Sequence, residues 1–151
     1  MNSFKKLINV NVLIFIILLL TGCARKNLTH SKSAYILVKT PNLKFADAGF
    51  VRFTKDSVIL ELYVASKPIV TLEISPSSVC QGTLKCLDAK EFNDKYLHPS
   101  YPSDSLYKIV TGSTLPKELQ RTDISYNLDN QTIRFHDRKN NILIKIRKLQ
   151  E

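Results

Sequence analysis

The side chains best suited to chemistry are few in this sequence and lie far apart. Its three histidines are His30 in a polar stretch, His98 just ahead of a proline, and His136 in an alternating, strand-like segment. A histidine acts as a general base only when a partner holds it in place. The acids nearest His98 are Asp94 and Asp104, and a histidine before proline in a helix connection reads as a turn residue. Glu61 and Glu73 are placed to oppose each other across an expected hairpin, but glutamates that alternate with apolar residues read as solvent-facing. There is no His-Glu-x-x-His, no Gly-x-Ser-x-Gly and no phosphate-cradling loop, because Gly22, Gly49, Gly82 and Gly112 are scattered. An enzyme is not expected, nor is a metal or a cofactor.

Cysteine gives the covalent expectations. In "SVCQGTLKCLD" Cys80 and Cys86 flank a Gln-Gly turn, so a disulfide that clips a small hairpin is expected. The spacing is not Cys-x-x-Cys, and no second pair of cysteines or histidines completes a zinc site. A disulfide requires an oxidising compartment, and the N-terminus supplies a reason to expect one. Lys5 and Lys6 precede an apolar run from Leu7 to Leu20 that is interrupted by Asn9 and Asn11. The run falls short of the roughly twenty residues that a membrane span needs, and it has the charged and apolar regions of an export signal. Its end, Leu20-Thr21-Gly22-Cys23, resembles a bacterial lipobox. That resemblance implies cleavage before Cys23, lipidation of its thiol, and anchoring through two or more acyl chains, each buried methylene contributing about 0.8 kcal/mol. Ala24, rather than an aspartate, follows the cysteine, and by the same resemblance this favours the periplasmic face of the outer membrane.

The expected organisation is a signal peptide at 1–22, a lipidated tether at 23–33 and a single β-rich domain at 34–151. Only Lys5 and Lys6 of the 22 basic residues fall in the signal, and none of the 13 acidic ones does, so the mature chain stays basic. Outside the cytoplasm this points to acidic lipid head groups rather than to nucleic acid.

The elements that must position these residues are mostly strands. "AYILVKT" alternates, and "LKFADAGFVRF" reads as two short strands around Asp47-Ala48-Gly49. "SVILELYV" and "PIVTLEIS" form a hairpin with Val58, Leu60, Leu62 and Val64 on one face. "DAKEFNDKYL" has Asp88 three residues before Glu91, the pattern of a helix start, and "SDSLYKIVTG" offers Ser103 as a cap and Gly112 as a stop. After these two helices the alternation returns at Ile124, Tyr126 and Leu128, at Ile133 and Phe135, and at Ile142, Ile144 and Ile146. The opposite face of this unit carries Arg134, His136, Lys145 and Arg147. The fold class is therefore α+β and mostly β: a curved antiparallel sheet or incomplete barrel of about seven or eight strands, with two short helices inserted between the strand blocks.

A curled sheet has a concave apolar face that must be filled. Either the helices plug it as core, or they form a lid over a lipid-sized cavity. The order of elements, from lipobox through meander and two helices to a closing meander, resembles the LolA/LolB class of periplasmic lipoprotein carriers, and within it the membrane-anchored receptor. The resemblance implies a hydrophobic half-barrel that binds acyl chains, with lipoprotein or lipid as cargo and a periplasmic carrier protein as partner. Under it the cavity residues are Leu60, Leu62, Leu72, Ile74, Leu106, Ile109, Ile133, Phe135 and Ile144, and a membrane-contacting loop is assigned to Leu43 and Phe45. The alternative is a non-enzymatic adaptor with a solid core, docking a protein partner or an acidic glycolipid through the basic face of Arg134, Lys145 and Arg147.

Overall fold

A computed structural model describes residues 30–64 and 67–149 of the chain. The expected signal peptide, Cys23 and most of the expected tether lie outside the described residues. The order is β1 (His30–Lys39), β2 (Lys44–Phe53), β3 (Val58–Val64), β4 (Lys67–Ile74), β5 (Ser78–Gln81), β6 (Lys85–Asp88), α1 (Ala89–Tyr96), α2 (Ser105–Thr111), a 3-10 turn (Lys117–Leu119), β7 (Ile124–Leu128), β8 (Thr132–Asp137) and β9 (Ile142–Lys148). The strands form one open antiparallel sheet in the order β6-β5-β4-β3-β2-β1-β9-β8-β7. The architecture is thus the expected curved sheet, with nine strands rather than seven or eight because the disulfide-clipped hairpin contributes two of its own.

β1 is an interior strand, pairing with β2 on one side and β9 on the other. It starts at His30, opposite Phe53, so residues 30–33 belong to the sheet and not to the tether. The sequence places them outside because His-Ser-Lys-Ser has no apolar alternation, while their backbone finds a ready-made partner in the long β2.

Strand β2 runs unbroken through Asp47-Ala48-Gly49, where the sequence reads as a turn. Gly49 serves close approach instead. A Cβ on it would lie 1.8 Å from the Glu61 carbonyl oxygen of β3, so only glycine lets the two strands cross there. β3 pairs with β2 only from Gly49 to Phe53, and its register with β4 shifts at Leu62/Tyr63. The first half of β2 is therefore left without β3 beside it, and the sheet opens.

The two helices lie on the concave face. Asp88 caps α1 by accepting the Lys90 N–H at 2.7 Å. α2 ends at Gly112 in the left-handed conformation, as its sequence predicts, but it starts one residue later than a Ser103 cap implies. Asp104 occupies the cap position without a capping bond and pairs instead with Lys108 at 2.6 Å. Tyr126 of β7 donates to the Lys108 and Ile109 carbonyls at 3.2 and 3.1 Å, adding a tie to β7 to the Gly112 and Ser113 N–H bonds that already cap them.

The residues read as lining a cavity belong to the core, and Leu72 also borders a groove described below. Leu60, Leu62, Leu72 and Ile74 from β3 and β4, Leu106 and Ile109 from α2, and Ile133, Phe135 and Ile144 from β8 and β9 belong to one packed cluster, none more than 9 % exposed. Leu106 and Ile109 plug the curved sheet rather than cover a void. Strand alternation is the same for a core leucine and a cavity leucine, so only packing separates the two.

Candidate functional site

The opening between the first half of β2 and the β4–β6 side of the sheet becomes an apolar groove of about 430 Å³. Leu43 and Phe45 form one wall, Val70 and Leu72 of β4 the floor, Val79 and Leu87 of the β5–β6 hairpin the second wall, and Phe92 and Tyr96 of α1 the roof. Each element is held by a specific contact. Asn42 Nδ2 donates to the Lys95 carbonyl at 2.8 Å and ties the β1–β2 turn to the end of α1. The Phe92 and Tyr96 rings pack against each other with centroids 4.8 Å apart, tilted by 43°. The Gly82 N–H donates to the Thr71 carbonyl at 2.9 Å, fixing the hairpin turn against β4.

Cys80 and Cys86 face each other in register and are joined by a disulfide, one position from the Val79–Leu87 pair that forms the wall. The hairpin is four residues per strand, too short to hold its shape alone, so the cross-link keeps that wall in place. Gln81, Lys85 and Lys95 bring the groove its polar groups, with Lys95 Nζ 5.0 Å from the Tyr96 ring centre. At the hairpin tip Leu84 is 92 % exposed, while Leu43 and Phe45 are half-buried walls. Leu43 and Phe45, the residues expected to contact a membrane, thus line the groove, which Leu84 also borders from the hairpin tip. The TLK tripeptide that holds Leu84 has no apolar run to mark it in the sequence.

His98, Glu61 and Glu73 each have a local partner. His98 bonds Ser100, Nδ1 to Oγ 2.8 Å, in the connection between the helices. Glu61 pairs with Arg52 and accepts from Tyr63, and Glu73 accepts from Ser57 at 2.9 Å, so the two carboxylates serve separate neighbours. Burial pushes the Glu61 carboxyl up, but Arg52 and Tyr63 outweigh it and hold it below the ordinary range.

One buried carboxylate has no counterpart in the sequence reading. Asp137, wholly buried at the end of β8, accepts from Tyr101 Oη at 2.7 Å, Arg121 Nη2 at 3.1 Å, and the Asn140 backbone N–H and Nδ2 at 3.0 and 2.8 Å. Burial alone would raise its pKa; the four donors reverse this and hold it low. Burial and the bond to Asp137 push the Tyr101 hydroxyl well up. The cluster fastens the helix connection, the segment before β7 and the β8–β9 turn to one point. It opens onto no groove. Among the described residues no three His, Cys, Asp or Glu side chains converge as metal ligands, and no helix is long and apolar enough to cross a membrane.

On the outer face of the sheet, Arg134 stands directly opposite Lys145, and Arg147 opposite Thr132. No carboxylate pairs with any of the three among the described residues. Like charges opposite each other are unfavourable in a sheet, so this face keeps a positive charge that its fold does not neutralise. No protein-family model matches the chain, and a search of curated proteins gives no match.

Proposed function

We propose that this protein is a lipid-anchored, non-enzymatic binder of one apolar chain bearing an acidic head group, working at the periplasmic face of the outer membrane. The observation that carries this reading is the groove: about 430 Å³, walled by aliphatic and aromatic side chains, with Lys85 and Lys95 among its lining residues. Its size lies within the range of ordinary ligand sites, which combine apolar walls with a few placed polar groups. An acyl chain lies against Val70, Leu72 and Phe92 while its acid meets the lysines. The anchor through Cys23 holds the groove close to a source of such chains. This differs from an open half-barrel, whose interior here is occupied by α2 and the strands.

The test is photolabelling of the full chain in bacterial membranes with a diazirine-bearing palmitic acid. Label is expected on peptides spanning residues 69–87 and 89–96, and to fall about tenfold in a Lys85→Glu/Lys95→Glu variant. Label confined to other segments, or equal in the variant, overturns the assignment.

A second reading rests on the uncompensated cations of β8 and β9. Through Arg134, Lys145 and Arg147 the outer face docks an acidic partner, protein or glycolipid. Charge reversal at these positions then abolishes a phenotype that groove substitutions leave intact.

A further inference from the structure

The strand at the far end of the sheet, β7, has no neighbour on its second side among the described strands. Natural sheet edges are blunted by lysine, proline, a bulge or a covering segment, because a free row of N–H and C=O groups is a template for another strand. β7 reads Ile-Ser-Tyr-Asn-Leu and carries neither lysine nor proline. Its ladder with β8 is bracketed by main-chain bonds from Asp129 N to Thr132 O at 3.0 Å and from Arg138 N to Asp123 O at 3.1 Å. Bonding alternates along an antiparallel pair. Ser125 and Asn127 therefore spend their backbone groups on β8, and Tyr126 and Leu128 turn theirs to the free side.

Beside that edge runs a second, shallower groove of about 330 Å³, between β7 and the segment 112–120. Leu115, Leu119, Ile124, Tyr126 and Leu128 line it, and Leu128 is 49 % exposed. A strand laid against β7 would place the residues opposite Ile124, Tyr126 and Leu128 on the same face as these side chains, and so in the groove. Main-chain bonds and alternate side-chain pockets are together what strand addition requires.

Charge selects the occupant. Asp123 precedes β7 and Asp129 follows it, whereas the chain as a whole carries a net +9. The guanidinium of Arg121, which pairs with Asp123, is shared with the buried Asp137. A second copy of this chain pairing about a two-fold axis at Tyr126 would set Asp123 of each copy against Asp129 of the other, like charge opposite like. We infer that β7 accepts an extended segment of a different protein, apolar at three alternate positions and basic at both ends, as a tenth strand of the sheet.

The test uses the full chain in detergent micelles and a fluorescein-labelled peptide, Lys-Val-Thr-Val-Thr-Val-Lys, blocked at both ends. Saturable binding by fluorescence anisotropy is expected, with hydrogen exchange slowed at the Tyr126 and Leu128 amides and unchanged across Lys85–Asp88. A peptide ending in aspartates is expected to bind at least tenfold more weakly. The Leu128→Lys variant, altered at a half-exposed position and checked for an unchanged melting midpoint, is expected to lose binding by a similar factor. Absence of saturation overturns the inference, as does protection at other strands or equal affinity for the two peptides. Protection of the same amides by protein concentration alone would assign the edge to a second copy instead.

Discussion

The two edges of this sheet solve the same problem in opposite ways. β6 is four residues long, carries Lys85 and Asp88, is cross-linked to its neighbour, and runs directly into α1. β7 is uncharged, ends at a half-exposed leucine and is bordered by open space. Each edge has an apolar groove beside it, but at β6 the walls are fixed by a disulfide, and at β7 by hydrogen bonds of Tyr126 and by the Asp137 cluster. The lesson is that a clipped edge can keep a groove open for a side-on ligand, whereas an unclipped one offers its own backbone.

The comparison breaks most severely at the centre. Gly49→Ala drives a Cβ into the Glu61 carbonyl, and backbone cannot yield as a side chain tip does. A loss of at least about 3 kcal/mol is expected, with denaturant melts showing both edges unfolding together. Next is the β7 side. Asp137→Ala strands the buried Tyr101 hydroxyl without its acceptor and leaves Arg121 only Asp123, for an expected cost of about 3 kcal/mol. Because Asp137 has a lowered pKa in the fold, its contribution is present above the unfolded value of about 3.9 and is lost as pH falls through the folded one. Wild-type stability should therefore decline below about pH 4, and the variant's acid limb should be flatter. On the β6 side, a Cys80→Ser/Cys86→Ser chain should lose about 2 kcal/mol. Hydrogen exchange should quicken in β5 and β6 and leave β7 unchanged; a uniform change would mean that the two edges are not independent. Smallest is Tyr126→Phe, about 1 kcal/mol. Burial raises the Tyr126 hydroxyl to about 12. Its share of the stability is thus complete below about pH 10 and lost as pH rises toward that folded value, an alkaline loss that the phenylalanine variant should lack.

Much of this was legible in the residues. Alternation in Val58–Leu62 and Ile142–Ile146 faithfully marks the buried face, Gln-Gly between Cys80 and Cys86 marks the clipped hairpin, and Asp88 and Gly112 mark helix ends. What failed did so for tertiary reasons. Gly49 in "DAG" carries the local signature of a turn, and only the path of β3 makes it a crossing point. The groove is assembled from five segments that meet because β3 leaves β2 early, a fact of register that no local pattern encodes. Leu43 and Phe45, read from the sequence as a membrane-contacting loop, line the groove, and Asn42 holds their turn to α1. The Asp137 cluster joins residues 36 positions apart, and a lone aspartate at a strand end gives no sign of it.

The position of β1 has a mechanical corollary. A pull applied upstream of His30 enters the molecule through an interior strand, which is paired along its length to β2 and over Ala34–Lys39 to β9. Such a load shears two ladders at once instead of peeling one strand from a rim. Drag on the domain from its N-terminal side is therefore borne where the sheet is most continuous; the groove beside β7 stays outside the loaded path, whereas the groove walled by Phe45, paired with Val38 of β1, adjoins it.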